Sequence, residues 1–286
     1  MRRKEMLDRV ATAGSAPLCC LSEEEMAAVG ADERVPFRRA EPPAGLGGLT
    51  AGARDAVLAA ALRGLVERGL LEPPAGPEGL QPAGAAVSDE LGVVLGIRRA
   101  PVAVTFVVQR SFLAVLYGFR EMRLTDLAPG MSGFLEERID QSSGSRQFTV
   151  RTVRDAVETL AALVDPDGEV ASEPLPDGEA DAAVPAETVR ALLDLGPGVT
   201  RLEAYHSRPE GTRRMQVSLL VRRREGVTLW SAAGAGPEQA SLFAVTADGL
   251  RHVIWETLCD PAGDQPPPRA GTRRASTRNS RHSGAR

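Results

Sequence analysis

Apolar positions along the chain change their period several times, and those changes divide it. Ala53 to Leu71 (ARDAVLAAALRGLVERGLL) sets Val57, Ala61, Leu62, Leu65 and Val66 three and four residues apart. That spacing puts one apolar stripe on a helix, with Thr50 as N-cap and a close near Gly69. Ahead of it, residues 1–50 predict a short helix and then a loop holding Pro36, Pro42, Pro43, Gly45, Gly47 and Gly48. Behind it, Glu72 to Pro82 is a loop and Ser88 to Leu95 adds one or two helical turns.

At Arg98 the pattern turns strand-like. Ala100 to Gln109 (APVAVTFVVQ) and Phe112 to Phe119 (FLAVLYGF) are rich in Val, Thr and aromatics and predict two largely buried strands. Arg120 to Gly133 reads as a loop, Phe134 to Asp140 as a third strand, Gln141 to Ser145 as a turn and Gln147 to Val150 as a short strand. A helix over Val153 to Val164 follows and stops at Asp165-Pro166-Asp167-Gly168, because the residue before Pro is pushed out of the helical region. Residues 167–184 are acidic and Pro-rich, the composition of a linker.

Helix, strands and helix then return. Pro185 to Leu195 predicts a helix; Val199 to Ser207, Arg213 to Arg222, Val227 to Ala232 and Leu242 to Val245 predict strands; Asp248 to Leu258 predicts the last helix. A shift of 95 residues lays Phe148-Thr-Val150 on Phe243-Ala-Val245, Leu160 on Trp255 and Asp165-Pro166 on Asp260-Pro261. The expected fold is therefore α+β and quasi-twofold: an antiparallel or mixed central sheet from two repeated strand–helix halves, with flanking helices. Its parts are an N-terminal segment (1–50), a first half (51–166), the linker (167–184), a second half (185–261) and a disordered tail (262–286).

Composition sharpens the outer parts. Hydrophobic residues are 43% of the 286 and aromatics only 4%, so the core must rest on Leu, Val and Ala. Of the 34 basic and 38 acidic residues, six Arg and Asp264 lie in 262–286, which leaves a body of 28 basic and 37 acidic residues, net −9. An acidic body is a poor match for a polyanion, so nucleic acid is expected at most at the tail. The three cysteines (Cys19, Cys20, Cys259) do not suit a disulfide framework, no apolar run reaches a membrane span, and no signal segment is evident, so a cytoplasmic protein is expected.

Catalytic groups are sparse. His282 lies in the tail, His206 ends a strand and His252 sits on the last helix, all ordinary positions. Glu136 and Glu137 point to opposite faces of their strand and cannot form one acid–base pair. Asp155 and Glu158 lie beside Arg151 and Arg154, the pattern of a solvated helix face. Phosphate-binding glycine loops and the nucleophile elbow do not occur, nor does a four-ligand zinc spacing, so neither an enzyme nor a bound metal or cofactor is expected. Binding a protein partner fits better. Met122, Leu124, Leu127 and Met131 make the 120–133 segment unusually apolar, either as a docking surface or as an element packed on its own sheet.

The helix ending in Arg68-Gly69-Leu70, the strands, the helix, the acidic linker and a second such half resemble the EspG-like secretion-associated proteins of actinobacteria. The strings at 149–156 (TVRTVRDA) and 245–250 (VTADGL) are similar to strand-to-helix entries of that family. The resemblance spans about residues 20–261 and departs in the basic tail and the long Pro/Gly stretches. It implies a quasi-twofold cytosolic chaperone for substrates of type VII (ESX) secretion, one that binds helical secreted pairs stoichiometrically and keeps them soluble. The competing expectation is a winged-helix-type transcriptional regulator, from the Leu65-x-x-Arg68-Gly69-Leu70 ending before Glu72-Pro73-Pro74. Against it stand the missing recognition helix and the acidic body.

Overall fold

The computed structural model describes residues 3–30, 46–73, 86–99, 103–110, 117–128, 130–140, 143–168, 199–206, 214–222, 229–233 and 241–259. The expected helix at 185–195, linker residues 169–184 and the tail lie outside them. The chain begins with helix α1 (Arg3–Ala13), strand β1 (Ser15–Leu21) and helix α2 (Glu23–Ala28), followed by α3 (Ala51–Glu67) and α4 (Asp89–Arg99). Strands β2 (Ala103–Arg110), β3 (Tyr117–Ala128), β4 (Met131–Ile139) and β5 (Arg146–Thr152) lead into helix α5 (Val153–Val164). Strands β6 (Val199–His206), β7 (Arg214–Arg222), β8 (Leu229–Ala233) and β9 (Ser241–Val245) lead into helix α6 (Ala247–Cys259).

All nine strands form one sheet, in the order β1-β5-β4-β3-β2-β6-β7-β8-β9. Every neighbouring pair is antiparallel. The fold is α+β, and of the two sheet types expected the antiparallel one is present. Two strand meanders meet where β2 lies against β6, and there Val107 stands directly opposite Leu202.

Helices cover the sheet in two layers, and β4 shows how one strand serves both. Leu135 packs with α1, α2, α3 and α4 on one face, while Phe134 packs with α5 and α6 on the other. Period-two alternation puts neighbours on opposite faces, and here both faces are dry. The first layer is centred on Val10, Leu21, Leu65, Leu91 and Val94, the second on Val107, Leu160, Leu202, Ile254 and Leu258, all buried.

Local rules set the ends of the elements. The Thr50 hydroxyl accepts from the Ala53 amide at the start of α3, and Gly69 closes that helix with φ +68°. A β-branched residue would be strained at that φ. Thr152 caps α5 by accepting from the Asp155 amide at 3.1 Å, and Thr246 accepts from the Gly249 amide at 3.1 Å at the start of α6.

Three expectations need correction. Residues 15–21 are a strand: β1 adds to β5 at the sheet edge, and its ladder breaks between Pro17 and Cys20. Proline is tolerated on an edge because one side of such a strand has no ladder to donate to. The expected loop at 120–133 is the tip of a hairpin: β3 runs to Ala128 and β4 starts at Met131, turning through Gly130 at φ +76°. Of the second expected strand, 112–119, residues 112–116 lie outside those described and 117–119 belong to β3. Finally, one ungapped shift does not fit the last helix. The Thr caps and the buried rows of α5 (Ala156, Leu160, Val164) and α6 (Leu250, Ile254, Leu258) coincide at 94 residues, whereas Phe148 and Phe243 differ by 95.

Candidate functional site: a groove between two helices

Two of the four apolar side chains singled out in the 120–133 segment, Leu127 and Met131, pack in the α1–α4 layer. Leu127 is 4% exposed. Met122 and Leu124 sit on β3 opposite Glu136 and Phe134 of β4, and their side chains lie outside those described. Tight packing at this tip is enforced by Gly133. A Cβ there would stand 2.5 Å from the Arg151 carbonyl oxygen and 2.5 Å from Leu127 Cδ1.

The charged residues of β4 and β5 are structural partners. Glu137 faces the first layer, fully buried, and takes ion pairs from Arg98 of α4 and Arg146 of β5. Glu136 faces the other layer and accepts from Arg151 Nε at 2.7 Å, while Arg151 Nη1 reaches Asp155 at 2.5 Å. Burial alone would lower the Arg151 pKa, but Glu136 and Asp155 outweigh it and raise it. The two glutamates therefore stand on opposite faces, each bound to arginine. Asp155 is tied to its own helix turn, and Glu158 accepts from Arg251 of α6 with both oxygens at 3.0 Å.

That last ion pair borders an open pocket of the second layer. Between α5 and α6 lies a shallow groove of about 480 Å³ that is broadly open to solvent. Helix α5 lines it with Val153, Arg154, Val157 and Glu158; α6 lines it with Arg251, His252 and Trp255. Trp255 is 46% exposed, the most exposed large apolar side chain among the described residues. Its ring stacks on His252, with centroids 6.4 Å apart and planes at 11°, and His252 Nε2 lies 3.1 Å from Glu256 Oε1. His252 is thus a surface residue bound to its own helix, His206 lies in β6 opposite Ala103, and His282 is outside the described residues.

Residues at equal distance from the two threonine caps differ between the helices. In the frame set by the threonine caps, Val157 and Ala161 of α5 correspond to Arg251 and Trp255 of α6. The first two are small and buried; the second two are large and stand at the surface. Sequence periodicity missed this because the 95-residue echo paired Trp255 with Leu160, a core residue at 0% exposure. The cap spacing, Thr152 to Thr246, was the signal that would have corrected it.

Such an arrangement can hold an apolar side chain against Trp255 and the valines and a carboxylate against a guanidinium. Among the described residues no cluster of three or more His, Cys, Asp or Glu could hold a metal ion, and no helix is long and apolar enough to cross a membrane. The chain matches no protein-family model and no curated protein.

Proposed function

We propose that the chain is a non-enzymatic, cytosolic binding protein that acts as a chaperone-like adaptor for helical secreted substrates, as its resemblance to EspG-like proteins implies. The observation that carries the reading is the junction of the two meanders. A 95-residue shift maps Val107 onto Leu202, and these two are direct ladder partners. A quasi-twofold axis through that pair relates β2–β5 with α5 to β6–β9 with α6. One residue, Arg151, is then extra in the first copy: it stands between the F-x-V strand ending and the threonine cap, and it carries the ion pairs to Glu136 and Asp155. The doubled unit supplies a rigid sheet with a helix pair on its axis, and a rigid scaffold presenting a helix face is suited to stoichiometric docking.

The test is co-expression of the protein with small helical secreted proteins encoded beside its gene, followed by size exclusion and mass measurement. A stoichiometric complex that keeps the pair soluble is the expected result. Recovery of a specific DNA site and no protein partner would overturn it.

A further inference from the structure

We propose that the α5–α6 groove docks one amphipathic helix of a partner protein, apolar along its contact stripe and bearing a carboxylate beside that stripe. The inference rests on the binding-protein reading above and names the partner's chemistry and its place of attachment.

The shape selects a macromolecule. A small ligand is normally enclosed over roughly 70–90% of its surface, and a groove this open encloses nothing to that extent. Two neighbouring helices leave a furrow into which the ridge of a third can pack. Val153 and Val157 form one wall and Trp255 the other, so an aliphatic or aromatic side chain is the natural occupant.

Charge selects the flank. Arg154 stands on the rim, exposed, and makes no ion pair among the described residues. Its nearby carboxylates are already engaged: Glu158 by Arg251, Asp155 by Arg151. Arg251 directs Nε to Glu158 and Nη1 to the Ala247 carbonyl, which leaves Nη2 without a partner among the described residues. Two guanidiniums thus border an apolar floor with donors to spare, and a carboxylate on the incoming helix complements them. Polyanionic nucleic acid is disfavoured by the net acidity of residues 1–261 as a whole.

The test uses two dye-labelled, 18-residue helical peptides with leucines at heptad contact positions, one flanked by glutamates and its twin by lysines. Each is titrated onto the full chain by fluorescence anisotropy. The glutamate peptide should bind and the lysine peptide should bind at least tenfold more weakly. Arg154→Glu should weaken the first at least tenfold and strengthen the second, and Trp255→Ala should weaken both, with melting curves unchanged. Equal affinity for the two peptides, no binding of either, or indifference of the glutamate peptide to Arg154→Glu would overturn the proposal. So would a concentration-dependent doubling of mass that Trp255→Asp abolishes, which would assign the groove to a second copy. Binding that appears only after removal of residues 260–286 would assign it to the chain's own tail. If a secreted pair is still captured by the Trp255→Ala and Arg154→Glu variants, the adaptor reading stands and this docking site falls.

Discussion

Glu136 and Glu137 are adjacent on β4, yet they belong to two different environments. Glu137 enters the α1–α4 layer, where its side chain is 0% exposed and Arg98 beside it only 6%. Glu136 enters the α5–α6 layer, where its partner Arg151 is 17% exposed and already shared with an Asp155 that is 29% exposed. Each glutamate is itself buried and each keeps one arginine that water reaches, Arg146 at 22% on the first face and Arg151 at 17% on the other, so the difference lies in Arg98 and Asp155. A sealed ion pair fixes a helix to the sheet, because separating it strands charge in a dry interior. On the α5–α6 face Asp155 and Trp255 stay partly exposed. The buried Arg98 lock belongs to the α1–α4 face, and the proposed docking groove lies on the other.

Removing Glu137 tests that division most severely. Glu137→Ala takes a carboxylate from two arginines at once, and loss of one member of a buried pair costs about 3–5 kcal/mol. Glu136→Ala should cost less, about 1–3 kcal/mol, since Arg151 keeps Asp155 and some water. Urea midpoints of the two variants measure the contrast, and equal losses would break the comparison. Next in size is Gly133→Ala. Its methyl would meet backbone as well as Leu127, so the strand must shift, at about 1–3 kcal/mol. A change in the urea midpoint without a change in slope is the expected signature.

Each face also carries a half-buried thiol. Burial, reinforced by the negative charge of Glu90, pushes Cys19 up to about 12, and burial pushes Cys259 up to about 11, from an ordinary value of 9.0. Cys19 packs against the α1–α4 layer and Cys259 against the α5–α6 layer. A thiol whose pKa rises on folding is kept neutral by the fold. Its contribution is intact below the unfolded value near 9 and is lost as pH climbs towards 11 and 12. Wild type should therefore lose stability between pH 9 and 11 faster than a Cys19→Ala, Cys259→Ala double variant, by urea midpoints at matched pH. At pH 8 the exposed Cys20 should be alkylated first, followed slowly by the other two, as followed by peptide mass spectrometry.

Much of this architecture is legible in the sequence, and the reasons are particular. Thr50, Gly69 and the stripe of α3 mark that helix because its caps and its apolar spacing agree. Val153 to Val164 is equally plain, since a threonine cap, a strong stripe and Asp-Pro all bear on it. Strand β1 is hidden because Pro17, Cys19 and Cys20 give no alternation, and only the partner strand β5 holds it in the sheet. The 120–133 hairpin is hidden because Arg, Glu and Asp recur along a strand whose neighbours satisfy it on both sides. The groove is hidden for a different reason: amphipathic spacing tells which residues face inward, but not that Trp255 stands where its counterpart Ala161 is buried.

Trp255 supplies the smallest expected stability effect, and for that reason a decisive one. A half-exposed residue whose removal leaves no cavity behaves as a surface position, so Trp255→Ala should change the urea midpoint by about 0.5 kcal/mol equivalent or less. Tryptophan carries a large apolar surface, and leaving it open to water gives folding no gain in proportion. Nor does the stack on His252 alter that balance much, since His252 is 53% exposed and bound to Glu256. A loss of several kcal/mol would mean that Trp255 closes the layer as Leu65 does on the other face, and the two faces would then be alike. Near-neutrality combined with lost partner binding would instead place stability on the α1–α4 face and recognition on the α5–α6 face.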